Sequence, residues 1–382
     1  MIYITNSSIS SRKANLLQSL EVCNSFSKYA KTEFWYPLGY SDNKKNRFIN
    51  EIFTKSNFEF RPIFCLNLEV IKKYLPLIGF YVKELSFIMA IIIKIILFNK
   101  DKVIYTRHVN GFPSLNFLKK QRLISNKIYV EIHAINKQTH KLKNFDGYIA
   151  LNEEIEKILK KNKFKNVITA HDGVNLEVFT PISKTKARIK LKLGEQNKYC
   201  IYSGKFKTLG KEKGIPEIIQ SIKYLTTKNL YFLFVGGDPG EKEVYIKMAK
   251  KFNIDIEKLI FIEHVNQKIL KYYLSASDVF LMPFPRETHY ELYMSPLKMF
   301  EYMAMKKPIV TTNLKSISKI LDKTNSFISE PGDIKGLAKN IDYALLKESE
   351  LKAEKAYKKV KDFTWDKRAK KIFNLINSEV VN

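Results

Sequence analysis

Short apolar runs alternate along the chain with stretches in which apolar positions recur every three to four residues. The runs predict buried strands, and the spaced stretches predict helices with one covered face. In the first half, strands are expected at Met1–Thr5, Glu33–Tyr36, Phe58–Cys65, Lys102–Thr106, Lys127–Ala134, Tyr148–Leu151 and Val167–Ala170. In the second half they are expected at Tyr199–Ser203, Leu230–Gly236, Leu259–Glu263, Val279–Pro283 and Pro308–Thr312, with helices at Pro216–Tyr224, Lys242–Lys251, Gln267–Ala276 and Pro296–Met305. This rhythm implies two parallel sheets covered by helices, an α/β architecture.

Between the halves lies the turn Asp172-Gly-Val-Asn-Leu-Glu-Val-Phe-Thr-Pro181, followed by the charged stretch Ile182–Lys198. Its Asp-Gly and closing Pro place a hinge there, with a first domain over 1–180 and a second over 181–364. Two such domains facing a cleft would hold ligands at the carboxyl ends of their strands. No internal repeat or low-complexity tract is visible. The start, Met1-Ile-Tyr-Ile-Thr-Asn6, lacks the basic and long apolar regions of a signal peptide and reads as a buried first strand. The most apolar stretch, Leu85–Phe98, is broken by Lys94 and is shorter than the roughly 20 residues a spanning helix needs. Its length predicts a core helix, and its apolar circumference with basic flanks leaves an interfacial membrane helix as the alternative.

Composition narrows the class. The chain has 382 residues, too many for one small domain, and 45% of them are hydrophobic, which excludes disorder. Cys23, Cys65 and Cys200 have no Cys-x-x-Cys spacing, so neither a disulfide framework nor a thiolate metal site is supported, and a reducing compartment fits. The net charge is +28, with 28 basic against 15 acidic residues over 1–180, so the excess is spread over both halves rather than gathered in a tail. Only eight of the 66 basic residues are Arg, which weighs against a nucleic-acid binder. A solvated lysine surface and attraction to an anionic membrane surface both stay open.

Three segments carry candidate chemistry. In Tyr202-Ser-Gly-Lys-Phe-Lys-Thr-Leu-Gly-Lys-Glu-Lys-Gly214 a strand ends in Gly204 and enters a lysine-rich loop before a helix. This is suited to phosphate yet is no Walker loop, and it reads equally as a solvated basic loop. In Tyr293-Met-Ser-Pro-Leu-Lys-Met-Phe-Glu301-Tyr-Met-Ala304, Ser295 is expected as N-cap and Pro296 as first helical residue, aiming free amides at an anion. The bland reading there is a surface ion pair between Lys298 and Glu301. Glu131-Ile-His133 puts a histidine at a strand end, as a core residue or a ligand contact. Facing hydrolase carboxylates, a Gly-x-Ser-x-Gly elbow, a zinc helix and a dinucleotide fingerprint are missing; Asn6-Ser-Ser-Ile-Ser-Ser-Arg12 follows the first strand instead.

Taken together, the ordered series resembles the family 4 (group 1) retaining glycosyltransferases of the GT-B fold over nearly the whole chain. The series is Ser203-Gly-Lys205 with Lys213-Gly214, Phe234-Val-Gly-Gly237, Leu270 to Asp278-Val-Phe-Leu-Met-Pro283, Ser295-Pro-Leu-Lys-Met-Phe-Glu301-Tyr-Met-Ala and Lys307-Pro-Ile-Val310. Glu131-Ile-His133, Gly173–Pro181 and Phe363-Thr-Trp365-Asp match that family's other marks. The resemblance implies two Rossmann-like domains facing a central cleft, with a C-terminal helix, 365–382, crossing back to the N-terminal acceptor-side domain. It also implies a nucleotide-sugar donor, UDP- or GDP-linked, held by the C-terminal domain, with no cofactor and no metal.

The resemblance further implies roles. Lys205, where the family usually has Arg, and Lys213 would neutralise the departing diphosphate, and His133 would lie by the transferred sugar. Gly204, Ser295 and the amides of Leu297 and Lys298 would hold the donor, Glu301 its ribose, and Val265 and Asn266 its base. One departure stands out: Tyr293 occupies the place of a second glutamate, and Glu287, His289 and Glu291 are the nearby substitutes. The expected activity is transfer to a glycan or lipid-linked acceptor in cell-surface polysaccharide or glycoconjugate synthesis. The expected place is cytoplasmic, peripheral on the membrane, where Lys72-Lys73 and Leu85–Phe98 suit anionic lipid. A non-catalytic nucleotide-sugar-binding partner is the rival reading, and a basic nucleic-acid binder the weaker one.

Overall fold

A computed structural model describes residues 1–7, 9, 14–38, 56–66, 73–108, 113–208 and 210–378. The chain forms two compact units, Met1–His171 with Trp365–Asn382, and Asp172–Thr364. In the first, β1 (Ile2–Ile4), β2 (Glu33–Leu38), β3 (Glu59–Phe64), β4 (Ile104–Thr106), β5 (Ile128–Ile132), β6 (Gly147–Ala150) and β7 (Val167–Thr169) form one sheet. Its order is β3-β2-β1-β4-β5-β6-β7, with every pair parallel. In the second unit, β8 (Lys198–Ser203), β11 (Leu230–Gly237), β12 (Leu259–Glu263), β13 (Val279–Met282), β14 (Ile309–Thr312) and β15 (Phe327–Ser329) form another parallel sheet. Its order is β12-β11-β8-β13-β14-β15. Lys207–Thr208 and Lys211–Glu212, β9 and β10, make a small antiparallel hairpin.

Parallel strands covered on both faces carry unbroken apolar runs, and β5 and β13 are buried at every position. The strand β15 has only Phe327 and Ile328 as apolar residues, too short a run to stand out in the sequence. The helix expected at Pro216–Tyr224 is an α-helix over Ile215–Ser221 that tightens into a 3₁₀ turn over Ile222–Tyr224. The stretch Leu85–Phe98 belongs to a longer helix, Pro76–Phe98, and is no core helix. Phe87, Ile91 and Ile95 are buried, while Leu85, Met89, Ile93 and Leu97 are exposed. Lys72, and Ser8 and Ser10–Arg12 of the segment Asn6–Arg12, lie outside the described residues.

The division between the units falls at 171/172, rather than at the expected 180/181. The turn after Asp172 is packed into the second unit: Val174 donates its N–H to the Phe363 carbonyl at 3.0 Å, and Val174 and Phe179 are buried in that unit's core. An Asp-Gly turn reads as a linker from its sequence, but two apolar side chains in it find a core.

The last helix, Trp365–Ser378, packs on the first unit. Trp365, Arg368, Ala369, Ile372, Phe373 and Ile376 form its buried face at spacings of three and four. Phe373 meets Phe26 edge-on at 5.4 Å, and Lys28 pairs with Asp366 at 2.6 Å. Arg368, itself buried, reaches Glu131 at 3.1 Å. The Glu131 carboxylate also accepts from Tyr105 Oη (2.6 Å) and Gln18 Nε2 (3.2 Å) and is bonded to His133 Nε2 (2.5 Å). Burial opposes its charge, but Arg368 and His133 more than compensate, and its carboxyl is held far below the usual range.

Removing one partner of such a pair strands the other charge. Arg368→Leu is expected to destabilise the first unit by about 3–5 kcal/mol, read as a lower urea midpoint by circular dichroism. A wild-type midpoint would overturn the role given to the pair. Because Glu131 has a depressed folded value, its contribution is full above the ordinary glutamate range and is lost as pH falls below it.

Candidate functional site

In the second unit the strand order reverses between β8 and β13, and open parallel sheets bind ligands beyond the carboxyl ends at such a reversal. Several of the candidate residues gather there. Strand β8 ends at Ser203, and Gly204 follows with a φ of +99°, its N–H donating to the Val235 carbonyl at 2.8 Å. Gly236, at φ +111°, lies so close to the Gly204 backbone that a Cβ would stand 3.0 Å from it. At Gly214 (φ +100°) a Cβ would be 2.1 Å from the Pro283 carbonyl oxygen, so the loop that carries Lys213 is pressed against the end of β13.

The helix Leu297–Ala304 enters the same place. Tyr302 Oη accepts the Ser203 N–H at 2.7 Å and lies 3.1 Å from Ser203 Oγ, tying the helix to the end of β8. Pro296, not Ser295, is the N-cap, and no side chain caps this helix. Ser295 is buried and its Oγ accepts from the Asp172 N–H at 3.1 Å, because the chain bends back toward the start of the unit there. The expected surface ion pair is also absent. Lys298 is buried and its Nζ makes no hydrogen bond; it sits 3.4 Å from the centre of the Tyr202 ring, with Cε 3.5 Å from a Cβ placed on Gly204.

Burial, then the nearby Lys213, push the Lys298 amine well below its ordinary value, and Glu301 opposes them only in part. Burial raises Glu301 to about 7 against the pull of Lys298. Lys213 is lowered to about 8 by burial and by Lys205. Lys205 is more exposed and pairs with Asp238, just beyond β11, at 2.9 Å. Three lysines and one carboxyl group thus share the reversal, and burial disfavours charge on three of the four.

The remaining candidates have partners of their own. Asn266 is the N-cap of the helix Gln267–Ala276, its Oδ1 accepting from the Ile269 N–H at 3.0 Å, and Val265 packs on the core; both follow the edge strand β12. Of the substitutes for Tyr293, Glu287 pairs with Lys211 at 3.2 Å and Glu291 faces Arg286 at 3.8 Å. His289 is lowered by burial and by Lys213, which places it beside the cluster. His133 belongs to the first unit: Nε2 bonds Glu131 and Nδ1 lies 3.5 Å from Arg107. Burial and Arg107 lower its imidazole to about 4, so it is neutral at neutral pH. Asp238, Tyr302 and Arg107 were not singled out by sequence. The Tyr302 position beside Glu301 in the motif was a usable signal; Asp238 and Arg107 offered none. Among the described residues no cluster of three or more His, Cys, Asp or Glu is arranged to hold a metal ion.

Residues 197–347 match the family described as Glycosyl transferases group 1. The chain is similar to the capsular polysaccharide biosynthesis glycosyltransferase CapM of Staphylococcus aureus, with 29% identity over 216 residues, 53% of this chain and 52% of CapM. The chain spans about half the length, or less, of the curated relatives it matches. Its structure is similar to sucrose-phosphate synthase from Thermosynechococcus elongatus, with a TM-score of 0.75 and 16% identity over 100% of this chain and 98% of that one. It is likewise similar to Anabaena HepE, solved in complex with UDP-glucose, with a TM-score of 0.73 and 12% identity over 99% of each chain. These likenesses show an α/β fold of the GT-B class.

The close approach at Gly214 can be tested directly. Gly214→Ala combines a strained φ with a backbone clash and is expected to cost about 2 kcal/mol or more, read as a lower thermal midpoint. An unchanged midpoint would show that the loop carrying Lys213 is not held where it is described.

Proposed function

We propose that this chain, whose residues 197–347 match the group 1 glycosyl transferases, is a retaining, metal-independent glycosyltransferase. It moves a sugar from a UDP- or GDP-sugar to a glycan or lipid-linked acceptor in cell-surface polysaccharide synthesis. Its setting in this reading is cytoplasmic, with the acceptor held at an anionic membrane surface. The observation that carries the reading is the gathering of Lys205, Lys213 and Lys298 with Glu301 at the strand reversal of one sheet. Cations held in a poorly hydrated site stabilise a dianionic leaving group most as its charge grows in the transition state.

In this mechanism the bond from the anomeric carbon to the diphosphate oxygen breaks. The acceptor oxygen bonds that carbon from the same face, and its proton passes to the departing phosphate. Lys213 and Lys205 take up the growing charge, and a diphosphate must displace Asp238 from Lys205. The amides of Leu297 and Lys298 at an uncapped helix start hold the distal phosphate, beside Gly204, whose lack of a side chain leaves the Lys298 amine as its neighbour there. Glu301 accepts from the ribose hydroxyls. Ser295 supports the helix start through Asp172, and Val265 and Asn266 contact the base through their backbone. His133 is assigned to the transferred sugar as a neutral group.

A thermal-shift screen of UDP, GDP, ADP, CMP and their sugar conjugates tests this. One nucleotide class at a hundredfold excess over its Kd is expected to raise the midpoint by about 5–10 °C, and Glu301→Ala is expected to abolish the shift. No shift with folded protein would overturn the reading, and a shift without turnover on any glycan or lipid-linked acceptor would favour a non-catalytic binder.

Binding should also depend on pH in a bell. The ribose hydroxyls need the Glu301 carboxylate, so affinity falls as pH drops below about 7. The diphosphate needs the Lys213 ammonium, so affinity falls again above about 8. Calorimetric titration across pH 5.5–9 (about this range) reads both limbs; a flat profile would remove both residues from the site.

A further inference from the structure

The helix Pro76–Phe98 has two unlike sides. Phe87, Ile91 and Ile95 are turned into the first unit. On the other side Leu77, Tyr81, Leu85, Met89, Ile93 and Leu97 are each more than half exposed. Four residues slightly overshoot one turn of 3.6, so this row winds slowly about the axis as it runs for about 30 Å. Single exposed apolar side chains are ordinary, whereas an unbroken row marks a surface that meets something. Ser86 Oγ accepts the Leu66 N–H at 2.9 Å and sets Leu66, also exposed, beside the row.

Charge identifies the occupant. The one acid in this helix, Glu84, is buried and turned onto His108 at 2.7 Å. Among the described residues, the charges open to solvent along and just outside the helix are Lys73, the half-buried Lys83 and Lys100, with Asp101 an acid on the far flank, while Lys94 lies over the ring of the buried Trp35 at 5.2 Å. An apolar row bordered by lysines matches the headgroup and acyl boundary of an anionic lipid layer. A second copy of the chain would set lysine against lysine in a protein of net charge +28. Among the described residues no helix is long and apolar enough to cross a membrane.

We propose that the exposed row of the Pro76–Phe98 helix docks the chain onto an anionic lipid layer, the row in the acyl boundary and the lysines among the headgroups. This deepens the proposed function by naming the surface that brings the chain to a lipid-held acceptor; the docking itself does not require transfer activity.

Flotation with vesicles of phosphatidylglycerol and phosphatidylcholine in equal parts tests it, against vesicles of phosphatidylcholine alone. Wild type is expected to float with the anionic vesicles. The double variant Leu85→Glu/Met89→Glu is expected to lose about tenfold or more in partitioning. Leu351→Glu, an exposed leucine of the other unit, should float as wild type does. Wild type that fails to float, or a double variant that floats equally, overturns the inference; so does a wild-type dimer dispersed by the double variant, which would make the row a contact between copies. Nucleotide thermal shifts on the same preparations separate the two readings: failed docking with an intact shift removes only the docking surface, and a lost shift with intact docking removes only the transfer reading.

Discussion

In each sheet the strand order runs outward in both directions from one central strand, β1 in the first unit and β8 in the second. Right-handed crossovers then send successive connections to opposite faces, and at the reversal two neighbouring strands part company beyond their carboxyl ends. The space so created cannot be filled by either crossover. In the second unit it is kept open by backbone rather than by side chains: Gly204, Gly214 and Gly236 hold left-handed φ values there, and two of them press against neighbouring backbone. The placement of every charged group in the candidate site follows from that opening.

Lys298 is the clearest consequence. Its helix is fastened by Tyr302 to the end of β8, and its side chain passes close to Gly204 to end over an aromatic ring. An amine buried without a hydrogen bond weakens a fold, and the nearby Lys213 adds to the cost. Such local frustration would be relieved by an anion, which is the physical content of the proposed function. The salt link between Lys205 and Asp238 is the exposed and replaceable part of the cluster.

The first unit handles charge in the opposite way. Glu131 is fully buried and is met by Arg368, His133, Tyr105 and Gln18, drawn from a strand, two helices and the strand end beside it. A buried carboxylate met by an ion pair and several hydrogen bonds favours one arrangement, because alternatives leave its charge dry and unpaired. It thereby fixes the last helix to the sheet and fixes the His133 ring through both nitrogens.

The sequence by itself determined the two-sheet α/β plan, because continuous apolar runs separated by helical stretches have few other ways to bury their faces. It also marked Gly204, Lys205, Lys213, Lys298 and Glu301 as one series, through the resemblance of that ordered series to the group 1 glycosyltransferases rather than through any one local signature. Tertiary structure alone decided that Lys298 is buried and unpaired with Glu301, that Ser295 serves Asp172 rather than capping, and that the turn after Asp172 joins the second core. It alone turned one side of the Leu85–Phe98 stretch outward. Each of these depends on which distant side chains are brought within a few ångströms, and spacing along a chain carries periodicity but not the depth at which a residue comes to rest.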